Sequence, residues 1–192
     1  MIRPQPYAPA LVFLAGLTLL APTAQAVEYS QVQPAASKLE FTFKQMGVPV
    51  PGHFKRFDAR LRFDPARPEQ ASASFSVDLA SIDAGSPEAN AEVAGKQWFD
   101  LPQFGSARFV SSQVRPLGGQ RYEVRGTLNL KGQTREVVAT FQVKEEAGRA
   151  VFTATLPLKR LEFGVGAGPW GDTSIVADQV DVRLQLLATP GK

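Results

Sequence analysis

Phe57-Asp58-Ala59-Arg60-Leu61-Arg62-Phe63 alternates apolar and charged residues from end to end. In an extended chain successive side chains point to opposite faces, so Phe57, Ala59, Leu61 and Phe63 share one face and Asp58, Arg60 and Arg62 the other. The same period returns on both sides of this stretch. Upstream, Leu39, Phe41 and Phe43 alternate with Glu40, Thr42 and Lys44. Downstream, Ala71, Ala73, Phe75, Val77 and Leu79 alternate with Ser72, Ser74, Ser76 and Asp78. Further strands are read at residues 107–115, 121–130, 136–144 and 150–158. A last strand sets Val180, Val182, Leu184 and Leu186 against Asp181, Arg183 and Gln185. About eight strands joined mostly by short hairpins predict an all-β fold, an antiparallel up-and-down barrel closing on itself. A barrel of about that size either fills with side chains or holds one small ligand.

Two segments break the pattern. Gly47-Val48-Pro49-Val50-Pro51-Gly52 carries two prolines, which cannot donate to a central ladder, so it is expected as a loop or a bulged edge. Ser86-Pro87-Glu88 offers a capping hydroxyl, proline at the first helical position and an acid in the first turn. That predicts one short helix over residues 87–98, ending near Phe99-Asp100-Leu101-Pro102.

The N-terminus reads as an export signal, occupying residues 1–26. Arg3 precedes an apolar run from Ala8 to Ala21, and Ala24-Gln25-Ala26 supplies the small-x-small pattern of a cleavage site. The run is shorter than the roughly 20 residues of a membrane span. The expectation is cleavage after Ala26 and a periplasmic domain of residues 27–192. With no cysteine in the chain, thiolate chemistry and disulfides are unavailable. A net charge of +3 with acids spread throughout lacks the clustered basic face of a nucleic-acid binder.

No enzyme is legible. His53 is the single histidine, so multi-His metal sites are absent from the sequence, and no nucleophile motif accompanies it. The expectation is a loop or edge histidine; the alternative is a hydrolase or isomerase using His53. Gly164, Gly166 and Gly168 precede Pro169-Trp170, which begins no phosphate-binding helix. That segment reads as a flexible connection, or as a flap bearing Trp170 over the barrel mouth. Lys55, Arg56, Arg60 and Arg62 read as a solvated strand face, with anionic lipid contact as the alternative.

The phenylalanines carry the strongest lead. Thirteen Phe stand against three Tyr, and Phe41, Phe43, Phe57, Phe63, Phe75, Phe109, Phe141 and Phe152 fall on inward positions. Mixed with inward Ala59, Ala71, Ala73, Ala139 and Ala154, they build either a packed core or the wall of an apolar cavity.

Several motifs, in order, resemble those of the YceI-like family of bacterial exported proteins across the chain beyond the signal. Gly52-His53-Phe54-Lys55-Arg56-Phe57 through Arg62-Phe63-Asp64-Pro65 is similar to its G-x-F-x-x-F…F-D-P segment. Trp98-Phe99-Asp100, Phe104 and Ala107-Arg108-Phe109-Val110-Ser111 resemble an aromatic-F-D followed by x-x-F-x-S. Gly126-Thr127-Leu128 through Gly132-Gln133-Thr134, Arg160-Leu161-Glu162-Phe163-Gly164 and Asp178-Gln179-Val180 are similar to later landmarks. Where many members carry an Arg/His-bearing stretch, Ala89-Asn90-Ala91-Glu92-Val93-Ala94-Gly95 stands here.

The resemblance implies an eight-stranded antiparallel lipocalin-like barrel with an elongated cavity for a polyisoprenoid or other long-chain amphiphile, such as an isoprenoid quinone or prenyl phosphate. The candidate lining adds Leu61, Val77, Trp98, Phe99, Leu128, Phe163 and Trp170 to the inward rings, with no catalytic residue, metal or cofactor. Among partners, transient contact with the membrane or a membrane cytochrome, and a homodimer, stay open. The competing reading is a partner-binding module, serving a membrane cytochrome or a stress response, with a filled core.

Overall fold

A computed structural model describes residues 27–191, so the export signal read at residues 1–26 lies outside the described residues. All eight alternating segments are strands: β2 (Lys38–Gln45), β4 (Phe57–Arg62), β5 (Ser72–Asp78), β7 (Ser106–Gly118), β8 (Arg121–Leu130), β9 (Gln133–Glu146), β10 (Arg149–Lys159) and β11 (Val176–Pro190). Three more bring the sheet to 11 strands: β1 (Tyr29–Val32), β3 (Val48–Phe54) and the short β6 (Ile82–Asp83). The segment with two prolines is therefore a strand. It pairs with β2 along its length and otherwise only with the two residues of β6, so Pro49 and Pro51 sit where a ladder has little to lose. The helix is shorter than its sequence signal. α1 (Pro87–Ala94) is capped by the Ser86 hydroxyl, which accepts from Ala89 N at 3.1 Å, and it stops at Gly95.

Neighbouring strands follow one another in the order β4-β5-β7-β8-β9-β10-β11-β2-β3-β6, every pair antiparallel. The result is a strongly curled sheet with two free edges brought face to face. At one end β1 spans the gap, pairing with β11 and bridging Tyr29 to Phe63. At the other, the chain turns from β3 into β4 and the seam is stitched locally. Lys55 N donates to Ser81 O (3.1 Å), Arg56 N to the Ser81 hydroxyl (3.0 Å) and Asp78 N to Arg56 O (3.2 Å). Arg56 pairs with Asp78 at 2.7 Å and Lys55 with Asp83 at 3.0 Å. Of the basic stripe, Arg62 pairs with Glu28 and Arg60 is exposed, so these cations do belong to the outer face.

Glycines let rings lie flat on the inner wall. A Cβ at Gly126 would collide with the Phe109 ring, and one at Gly52 with Phe41. The closed end is plugged by a tight aromatic cluster. Phe63, 1% exposed, meets Tyr122 (5.1 Å), Phe152 (5.2 Å) and Phe141 (6.1 Å), all edge to face, the geometry ring quadrupoles favour.

Tyr29 caps this plug, and its hydroxyl donates to a Glu145 carboxylate oxygen at 2.8 Å. Burial first, then the Glu145 hydrogen bond, pushes the phenol from 10.0 up to about 12. The folded state therefore holds this proton more tightly than the unfolded chain. The associated stability is complete below pH 10.0 and is lost as pH rises towards about 12. Burial and the same glutamate also raise Tyr122. Denaturant midpoints measured across that alkaline window should fall, and Tyr29→Phe should remove most of the slope.

Candidate functional site

Between the aromatic plug and α1 the curled sheet encloses a cavity of about 600 Å³. Its walls are the inward faces of most strands, and many of those side chains, among them Phe57, Phe75, Phe109, Leu156 and Val182, are only half-buried. Inward residues in a close-packed core would be fully covered; these face empty space. Of the rings expected on the wall, Phe41, Phe43, Phe57, Phe75, Phe109 and Phe163 line it, together with Val77, Phe99, Leu128, Trp98 and Trp170.

Four expected wall residues do not. Leu61, Phe63, Phe141 and Phe152 lie in or against the plug, beyond the end of the cavity. Alternation assigns a side chain to a face but carries no measure of depth along the strand, so these could not be separated from Phe57 or Phe75 by period alone. The wall also includes Phe54, Leu79, Ile82, Val124, Leu156, Leu158, Val180, Val182 and Leu184. Most were readable as inward partners on strands already found. Phe54 was hidden by the prolines before it.

Lining residues that are also exposed mark the mouth: Gln45 at the end of β2, and Glu88 and Glu92 on α1. Here α1 meets the glycine-rich segment. Trp170 donates its indole N–H to Glu92 at 2.7 Å and packs on Trp98 with ring centroids 5.5 Å apart. The segment is thus a fixed part of the rim. Gly164, Gly166 and Gly168 all have positive φ, and at Gly166 a side chain would also strike Trp98.

What fixes it is Arg160, a residue 3% exposed that is one of those lining the cavity. Its Nε donates to Ala177 O (3.1 Å), Nη1 to Val165 O (3.0 Å) and Gly166 O (2.6 Å), and Nη2 to Trp170 O (2.7 Å) and Val176 O (2.7 Å). All five donors of the fork end on main-chain carbonyls. Burial lowers its pKa and the Asp178 charge opposes that shift. Its Cζ also sits 5.5 Å from the centre of the Trp98 ring. Lys131 plays a similar part from the β8–β9 turn, donating to the carbonyls of Lys96 (3.0 Å), Gln97 (3.2 Å) and Gly164 (2.7 Å). Burial lowers its pKa as well.

His53 stands exposed on the outer side of β3, in register with Glu40 and Asp83, and does not touch the cavity. Among the described residues no cluster of His, Cys, Asp or Glu could hold a metal ion, and no helix is long and apolar enough to cross a membrane.

A curled antiparallel sheet around an apolar cavity defines a lipocalin-like fold. The family model of the YceI-like domain matches residues 31–188, and the chain belongs to that family. It is 32% identical to a UPF0312 protein of Pseudomonas syringae pv. tomato over 143 residues, 70% of this chain and 74% of the relative. A UPF0312 protein of Vibrio cholerae is 27% identical over 180 residues, 88% of this chain and 95% of the relative. Among solved structures, BcnA of Burkholderia cenocepacia superposes with a TM-score of 0.81 at 45% identity, covering 83% of this chain and all of BcnA. A polyisoprenoid-binding domain from Saccharophagus degradans shares the fold, with a TM-score of 0.65 at 18% identity over 86% of this chain and 99% of the domain.

Arg160→Lys tests the clamp. Three donors in place of five leave at least two buried carbonyls without a partner, each costing about 1–3 kcal/mol. Urea unfolding should show a loss of about 2–6 kcal/mol with unchanged far-UV circular dichroism.

Proposed function

We propose that this protein is a periplasmic carrier of a long-chain polyisoprenoid or a similar amphiphilic lipid, held in the sheet's cavity. The observation that carries this reading is the cavity's size and chemistry. About 600 Å³ is bounded by aromatic and aliphatic side chains, with Gln45, Glu88, Glu92 and Arg160 as the hydrophilic side chains on the wall. Such a lining discriminates poorly by hydrogen bonding and strongly by apolar bulk. Each methylene moved from water contributes about 0.8 kcal/mol, so a chain of a few prenyl units binds tightly without polar contacts. Membership of the YceI-like family supports a binding role. The fold shared with a domain described as polyisoprenoid-binding supports the ligand class.

The rim supports an exchange with a lipid surface. Met46, 72% exposed, and Val48, 63% exposed, project from the β2–β3 turn beside Gln45, and Ile175 O accepts from Met46 N at 2.8 Å. Met46 holds a positive φ of 48°, a conformation that turns normally give to Gly, Asn or Asp. An exposed apolar side chain in a position that favours a small polar one suits contact with acyl chains at the cavity mouth.

Native mass spectrometry of protein isolated from the periplasm should show an adduct of lipid mass. No adduct, together with no thermal shift on adding a prenylated quinone or a polyprenol, would sink the proposal. Ala139→Phe and Ala154→Phe place rings in the cavity, and each should weaken binding at least about 10-fold while leaving the fold intact. In a vesicle-transfer assay, Met46→Asp with Val48→Asp should slow lipid uptake several-fold and leave affinity for detergent-dispersed ligand unchanged.

A further inference from the structure

The inward residues change character at one level of the curled sheet. On β8, Val124 lines the cavity and Tyr122 belongs to the plug; on β9 the step falls between Ala139 and Phe141, and on β10 between Ala154 and Phe152. The ladders set these steps side by side: Val124 pairs with Ala139, Tyr122 with Phe141, and Phe141 with Ala154. Open space therefore gives way to plug within one row of residues, about 6.8 Å along a strand.

Phe141 is the ring at that boundary. It stacks on Tyr122 at 5.1 Å and 19°, and it meets Phe63 and Phe152 at 6.1 and 6.4 Å. Directly opposite, across the β9–β10 ladder, stands Ala154 of the cavity wall. Phe63, Tyr122 and Phe152 are buried, whereas Phe141 is only half-buried, so the plug does not enclose its ring on every side. In the same cluster Val143 and Leu186 are each 2% exposed. An interior packed to that degree does not yield to an entering chain.

Polarity decides which end of an amphiphile meets these rings. The exposed hydrophilic side chains of the lining, Gln45, Glu88 and Glu92, stand at the mouth, so the hydrocarbon end is the one that runs to the plug. Each methylene that finds room inside tightens binding about 4-fold, and one left outside the mouth adds almost nothing.

We infer that Phe141, with Ala154 opposite it, is the floor that sets the longest chain this cavity takes. This rests on the carrier reading and adds a length limit to it. Binding tightens with each added unit until the chain end reaches Phe141, and levels off there. Removing the ring lowers the floor; enlarging Ala154 raises it.

The test takes a homologous series of prenols, lengthened one prenyl unit at a time, and measures affinity by displacement of a fluorescent apolar probe. Wild type, Phe141→Ala, Phe141→Leu and Ala154→Leu are compared, each checked for folding by circular dichroism. The quantity read is the chain length at which affinity stops rising. Phe141→Ala removes about six ring carbons, close to the roughly five of one prenyl unit, so the limit should move out by about one unit. Phe141→Leu covers the case in which the alanine variant does not fold. It should bind the first prenol beyond the wild-type limit several-fold more tightly than wild type does. Ala154→Leu should level off about one unit earlier than wild type. A limit that stays at the wild-type length in a folded Phe141 variant or in Ala154→Leu overturns the assignment, as does a wild-type affinity that never levels off. Failure of every prenol to bind wild type overturns the carrier reading beneath it.

Discussion

The fork of hydrogen bonds from Arg160 is the constraint on which the cavity's open end depends. One guanidinium gathers carbonyls from Val165, Gly166, Trp170, Val176 and Ala177. It thereby fixes the glycine-rich segment, the entry to β11 and the surface on which Trp98 rests. A buried cation is costly unless its donors are met, and here geometry meets all of them with backbone in place of a counter-ion. Lysine, a point charge on a flexible stem, could not span the same set. Trp170 and Glu92 then join that fixed rim to α1.

The cavity exists because two kinds of inward residue are sorted along the same strands. Towards the end bridged by β1, rings meet one another: Phe63, Tyr122, Phe141 and Phe152 interlock and exclude space. Towards α1, Phe57, Phe75 and Phe109 share the wall with Val124, Ala139 and Ala154, whose smaller side chains leave the centre open. Glycines at 52 and 126 let Phe41 and Phe109 lie against backbone, which keeps those rings out of the lumen. The plug supplies the cohesion that a chain without cysteine must find in packing.

Period-two alternation made eight of the strands legible, because half-buried strands write their two faces directly into the sequence. β1 and β6 are too short to show a period, and β3 was obscured by Pro49 and Pro51 at an edge where proline is tolerated. The helix's start was legible in Ser86-Pro87 and its end was not, since Gly95 stops it before the aromatic residues that follow. At the site, face could be read and depth could not, which is why Leu61, Phe63, Phe141 and Phe152 were grouped with the wall. Arg160 carried a signal only as part of a motif. Nothing local in the sequence distinguishes an arginine that folds inward to collect carbonyls from one on a solvated face.

The seam between β3 and β4 gives the molecule a direction of least resistance. The adjoining strands β4 and β5 are held by a six-residue ladder; this line is held by a few local hydrogen bonds and two partly exposed ion pairs. Such pairs contribute little each and weaken as salt rises. Phe54 and Phe57 line both the cavity and a cleft on the outside of the seam, so the wall there is a single aromatic layer thick. Like the suture of a pod, it is the thin line of the wall, and thermal opening of the sheet will concentrate there before any full ladder yields.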